Sequence, residues 1–179
     1  MSVLRKIVYR LRQVGQQLGR ADALSPGDHV LVEQFLGTVS STARDLFYTM
    51  ALADQQHSVR VCRGLQAREC DDRELLRAAL LHDVGKAQGR VPFWTRPVIV
   101  LGKLCTPHLL ARLALSPESA VFSRLPVWRR ALSYAWWHAN VGATLCARAG
   151  LSEQAVLYVR AHHDAHGPAR ELHLVDDES

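Results

Sequence analysis

The segment LLHDVGKAQGR places an imidazole and a carboxylate, His82 and Asp83, side by side at the end of an apolar run. Divalent cations such as Mn²⁺, Fe²⁺ and Zn²⁺ accept both ligand types, and a catalytic centre needs several of them converging with one coordination position open. Two further positions offer partners: His57 in DQQHSVRV and Asp176 in LVDDES. Each residue alone has a plainer explanation, since a single histidine on an apolar helix face is commonly a core residue bonded to backbone. As a set they resist it, because a buried His-Asp dipeptide followed by Gly-Lys is costly to desolvate without a partner. Lys86 follows the pair by one helical turn, where its ammonium can meet a phosphate oxygen or the carboxylates. Arg60, one turn after His57, is a second cation for an anionic group, and Asp54, one turn before it, is placed to orient the ring.

Helices must position these groups. Val3, Leu4, Ile7, Val8, Leu11, Val14 and Leu18 recur at offsets of three and four, which predicts a basic, amphipathic first helix packed on the core, with a membrane surface or a partner as its alternative seat. Ser25-Pro26-Gly27-Asp28 supplies a turn and a helix start before LVEQFLGTV. From about Ser40, Leu46, Met50, Ala53, His57, Val61 and Leu65 share one side of a stretch without proline, which turns His57 inward. Asp71-Asp72 announces a helix through ELLRAALL to His82 and Asp83. Adjacent helical residues diverge by about 100°, so His82 and Asp83 share an ion only if the helix distorts, and Gly85 is expected to end or distort it. The stretch from Gln88 to Pro126 holds five of the seven prolines and predicts short, interrupted helices, read as an insertion or a cap over the site. Periodicity returns in VWRRALSYAWWHANVGATLCARAG up to Gly150, then in a Ser152-capped helix and a last turn or helix through ARELHLVDD. No repeat or alternating strand pattern interrupts this, so the expected fold class is all-α.

The 179 residues suffice for one domain with its own core, and 48% hydrophobic with 22% charged residues is an ordinary globular composition. A net charge of +5, carried mainly by scattered arginines, favours an anionic ligand without indicating a nucleic-acid partner. Cys62, Cys70, Cys105 and Cys146 form no CxxC pair, which argues against a disulfide framework or thiolate metal site and suits a cytoplasmic setting. PVIVLGKLC is too short to cross a bilayer, so no transmembrane segment is expected. Trp136 and Trp137 are expected to pack in the core, and His29, His108, His166 and His173 to be surface or structural residues.

The order His57, then His82-Asp83 in LLHDVGK, then Asp176 in LVDDES resembles the HD-domain superfamily of metal-dependent phosphohydrolases, from roughly Leu46 to the end of the chain. The resemblance implies a single-domain HD-type helical bundle, with 1–39 as N-terminal helices, 46–179 as the HD core and 88–126 as the insertion or cap. It implies His57, His82, Asp83 and Asp176 as ligands of a divalent ion of the Mn, Fe, Mg, Co, Ni or Zn type. Asp177 is an adjacent rival for the last place, with Asp176 preferred. His138 in WWHANVGA and His162 in VRAHHD, each taken to lie near a helix end, resemble the two extra histidines of two-metal subfamilies, in which Asp83 would bridge the ions. His163 is an alternative to His162. The double histidine also resembles the HHE segment of HD-GYP phosphodiesterases, but AHGP replaces the glycine-rich ending of that signature, which argues against a cyclic-di-GMP phosphodiesterase. The implied activity is hydrolysis of a phosphoester or phosphoanhydride in a small phosphorylated substrate, a nucleotide by family resemblance, with Asp83, Lys86 and Arg60 as catalytic groups. Two alternatives share the scaffold: diiron oxygenases of the superfamily, and regulatory or binding modules without catalysis.

Overall fold

Ser25, Pro26 and Asp28 start a helix by reciprocal capping, the Ser25 hydroxyl accepting from Asp28 N and the Asp28 carboxylate accepting from Ser25 N. The computed structural model describes residues 23–87, 90–92 and 95–179. The amphipathic helix expected at the N-terminus therefore lies outside the described residues. Among the described residues there are nine α-helices and no strand, an all-α fold built as one helical bundle.

Helix α1 spans Pro26–Val32 and continues as a π-helical segment, Glu33–Gly37. Two helices, α2 (Ser41–Tyr48) and α3 (Leu52–Ala67), stand where a single uninterrupted helix is expected from Ser40 onward. The break is made by Ala51 in an extended conformation, φ −62° and ψ 147°. Side chains compensate for the lost ladder: the Thr49 hydroxyl donates to Leu46 O at 2.7 Å, and Gln55 Nε2 donates to Met50 O at 2.8 Å. Helix α4 (Arg73–Leu81) begins at Asp72, whose Oδ1 accepts from the amides of Glu74 and Leu75. A 3₁₀ turn, Val84–Lys86, follows it.

Where it is described, the proline-rich stretch forms α5 (Thr95–Cys105), α6 (Pro107–Leu113) and a 3₁₀ turn at Phe122–Arg124, with α5 and α6 packed on each other and on α7. Helix α7, Val127–Arg148, is the longest among the described residues. It ends in a Schellman motif, with Gly150 at φ 86°, Gly150 N bonded to Ala147 O and Leu151 N to Cys146 O. Helices α8 (Glu153–Ala161, capped by Ser152) and α9 (Arg170–Glu178) complete the chain.

α4 is the axis of the bundle, packed between α3 and α8, while α7 lies on α8 and on the 3₁₀ turn, and α9 lies on α3. Leu36, Phe47, Val61, Leu65, Leu80, Leu81, Val84, Val159 and Leu172 are fully buried along these contacts. No described helix is long and apolar enough to cross a membrane.

Candidate metal centre

The site begins where α4 ends. His82 is the C-cap of α4, and Asp83 turns to φ −96°, ψ 2° to open the 3₁₀ turn, so the two side chains escape the divergence of a regular helix. The helix thus stops before Gly85. Gly85 is required for another reason: a Cβ there would lie 2.0 Å from His138 O, so its bare backbone lets the turn sit directly on α7.

Helices α3 and α9 bring His57 and Asp176 to the same place. His57 Nε2 donates to Asp176 Oδ1 at 2.8 Å, and His82 Nε2 lies 3.5 Å from that oxygen and 3.7 Å from Asp83 Oδ2. Of the two adjacent aspartates, Asp176 continues the face of Leu172 and Val175 and points inward, its side chain 18% exposed. Asp177 points away, 47% exposed and 3.8 Å from His173 Nε2.

A second group lies alongside. His138, from the interior of α7 rather than near its end, meets His162, the C-cap of α8, and His163. His138 Nε2 and His163 Nε2 are 3.0 Å apart, so one ring donates to the other. Both of the double histidines therefore enter this group, where the sequence left a choice between them. Asp83 faces both groups: Oδ2 is the oxygen toward His82, while Oδ1 is 3.6 Å from His138 Nε2 and 2.6 Å from Lys86 Nζ.

The rings are aimed by the backbone. Nδ1 of His82, His138 and His162 donates to the carbonyl three residues earlier, Ala79, Ala135 and Val159, at 2.8, 2.9 and 2.7 Å. That bond fixes each ring's orientation and turns Nε2 toward the cluster. The Nε2 atoms of His82 and His162 are buried with no hydrogen-bond partner, on side chains of zero exposure. Orphaned polar atoms at such depth are costly unless a partner enters. In each triad, His57–His82–Asp83 and His138–His162–His163, one potential ligand atom per residue lies within 4.8 Å of the others. Nitrogen and carboxylate donors at this spacing fit a divalent transition metal.

No family model, curated protein or solved structure matches this chain. The candidate metal centre stands on its geometry and electrostatics.

Burial works against the His82 imidazolium, but Asp83 and Asp176 outweigh it and push its pKa up to about 9. A cluster with one buried and one partly buried carboxylate calls for positive charge, which a proton on His82 or a divalent cation can supply. Burial, reinforced by His82, lowers His162 to about 4, and burial with Lys86 drives His138 well below the usual histidine range. Burial also opposes the Asp83 carboxylate, yet Lys86, His82 and His138 hold it well below the usual carboxylate range. At Asp176 burial is outweighed by His82 and His57 in the same direction.

The remaining expected residues fall into place unevenly. Lys86 is partly exposed, 23%, beside an almost fully buried Asp83. Arg60 is exposed on α3 one turn beyond His57. Asp54 is buried on α3, but His57 Nδ1 is buried without a hydrogen bond, so Asp54 does not orient that ring through one. Trp137 donates from Nε1 to Ala114 O at 3.1 Å, away from the histidines. His173 donates from Nδ1 to His162 O at 3.2 Å and supports the second group, a link that no sequence spacing signalled. The backbone bonds that aim the three rings are those expected of a histidine on an apolar helix face, and each joins residues three apart.

Proposed function

We propose that the protein is a metal-dependent phosphohydrolase of HD type, acting on a phosphoester or phosphoanhydride of a small phosphorylated metabolite such as a nucleotide. The observation that carries this reading is the pair of buried, unpartnered Nε2 atoms of His82 and His162, on rings 5.2 Å apart, with the Asp83 carboxylate 3.7 Å from His82 and a lysine against it. In this reading His57, His82, Asp83 and Asp176 would hold one divalent ion, and His138, His162 and His163, with Asp83 beside them, would hold a second. Metal ions so held supply Lewis acidity, acidifying water and polarising a phosphoryl oxygen.

The chain's own residues do the rest. The carbonyls of Ala79, Ala135 and Val159 keep three imidazoles oriented before any ligand arrives, which limits reorganisation during reaction. Lys86 holds its ammonium at Asp83 and, being partly exposed, is positioned to meet a phosphoryl oxygen and offset the charge that develops on it. Arg60 is a second cation for the anionic part of the substrate.

The test is a phosphate-release screen of metal-loaded protein against p-nitrophenyl phosphate and nucleoside mono-, di- and triphosphates, with Asp83→Ala as control. The reading expects metal-dependent release from at least one substrate and its loss in the variant. Strict dependence on iron and O₂ with no phosphate released would move the protein to the oxygenase alternative. Equal activity in Asp83→Ala would remove the centre from the chemistry altogether.

A further inference from the structure

Helix α7 presents two different stripes. Ala135, His138, Ala139, Gly142 and Cys146 are buried against the bundle and the metal centre. Tyr134, Trp137, Val141, Thr144 and Arg148 recur at the same three- and four-residue spacing on another side of the helix, where they line a half-open cavity of about 350 Å³. The cavity is closed by Arg90 and by the turn Ser116–Glu118, and its lining includes neither Lys86 nor any of the proposed ligands. Its size falls at the lower end of the range for small-molecule sites.

Its chemistry is specific. Two guanidinium groups, Arg90 and Arg148, face it, against one carboxylate, Glu118. Arg90 is held in position, with Nη1 donating to Ala87 O at 3.0 Å and its guanidinium carbon 5.9 Å from the centre of the Tyr134 ring. Tyr134 is braced edge-on by Phe122, and the Trp137 indole is fixed through its bond to Ala114 O, so both rings offer pre-set apolar surface. Thr144 and Asn140 add hydrogen-bonding groups to the lining. Guanidinium forks recognise phosphate, and fixed aromatic walls recognise a flat ring.

We propose that this cavity binds a small anionic ligand, a phosphate joined to a flat ring, separately from the metal centre. Arg148 and Arg90 take the phosphate, Tyr134 and Trp137 take the ring, and Glu118 weakens the site for any ligand lacking a hydrogen-bond donor in its reach. Because Tyr134 and Val141 are the i−4 and i+3 neighbours of His138 on α7, a ligand here sits on the flank of a helix that contributes to the centre.

The experiment is calorimetric titration of the full chain, wild type and Asp83→Ala, with AMP, adenosine and inorganic phosphate as probes. The expected result is one saturable AMP site in both proteins, with adenosine alone and phosphate alone each weaker by about tenfold or more. Arg148→Glu should weaken AMP by at least about tenfold and Arg148→Gln by less, both with unchanged helical content, since Arg148 is exposed. AMP binding that disappears in Asp83→Ala and is untouched by Arg148→Glu would assign the ligand to the metal centre and overturn the proposal. Absence of AMP binding to both proteins would overturn it as well, leaving the phosphohydrolase reading to its own screen.

Discussion

Asp83 turns one oxygen to His82 and the other to His138 and Lys86, so its removal reaches both histidine groups at once. His163→Ala is expected to be milder: the residue is exposed, so metal affinity at the second group should fall by about 10- to 100-fold with little change in stability, measured by competition with a fluorescent chelator. Lys86→Ala should lower kcat by about 10² while leaving metal content intact, as loss of one charge-stabilising donor does. Acidity gives a further signature in the metal-free protein. His82 is raised to about 9, so its contribution to stability is complete below about pH 6.5 and is lost as pH climbs through 9. His162 is lowered to about 4, so the unfolded chain binds a proton that the native state refuses, and stability falls as pH drops from about 6.5 toward 4. Tm of the metal-free protein should therefore peak near about pH 6.5, and metal should abolish the alkaline loss by displacing the His82 proton. Much of this residue set was legible: His57, His82, Asp83 and Asp176 stand out by type, and Asp176 follows Leu172 by one turn on an inward face. The choice between His162 and His163 was not, because the chain leaves helical geometry there and the direction of His163 depends on where α7 happens to lie.

Helix ends decide how accurately these groups are presented. α3 closes with the same motif as α7, Cys70 N bonding to Leu65 O and Glu69 N to Gln66 O, but the left-handed position, φ 60°, is held by Glu69 instead of glycine. Glu69→Gly should stabilise the protein by about 1 kcal/mol in chemical denaturation, since glycine adopts that conformation without a Cβ clash. Gly85→Ala should do the reverse: its Cβ meets His138 O and must push α7 from the 3₁₀ turn, costing about 1–3 kcal/mol and weakening metal binding at the histidine triad more than at His57–His82–Asp83. Starts and stops marked by capping chemistry were plain in the sequence, as at Ser25, Asp72, Ser152 and Gly150. The break between α2 and α3 was not, because no proline or glycine makes it. It depends on Thr49 and Gln55 satisfying carbonyls through side chains, and nothing in their spacing distinguishes that role from ordinary helix surface. The π segment Glu33–Gly37 was hidden in the same way, inside a periodicity that reads as regular helix.

At the scale of the molecule, apolar residues at helical spacing and the absence of alternating strands were enough to read an all-α bundle. Sequence spacing could not show that α4 packs between α3 and α8, with α7 on α8 and the 3₁₀ turn and α9 on α3, so that histidines and carboxylates from separate helices meet. That convergence buries Asp83 with His82, His138 and His162 and brings Asp176 against them, so the native state should gain from any cation the unfolded chain cannot hold. A metal at about 100 times its dissociation constant should add about 2.7 kcal/mol, seen as a rise in Tm that a chelator reverses. The most direct measurement is the metal content of purified, metal-supplemented protein by mass spectrometry after exhaustive dialysis, beside Asp83→Ala prepared identically. Two bound ions per chain in the wild type and near-complete loss in the variant are expected. A wild-type protein that retains no divalent ion, or a variant that retains as much, would contradict the metal centre on which the account rests.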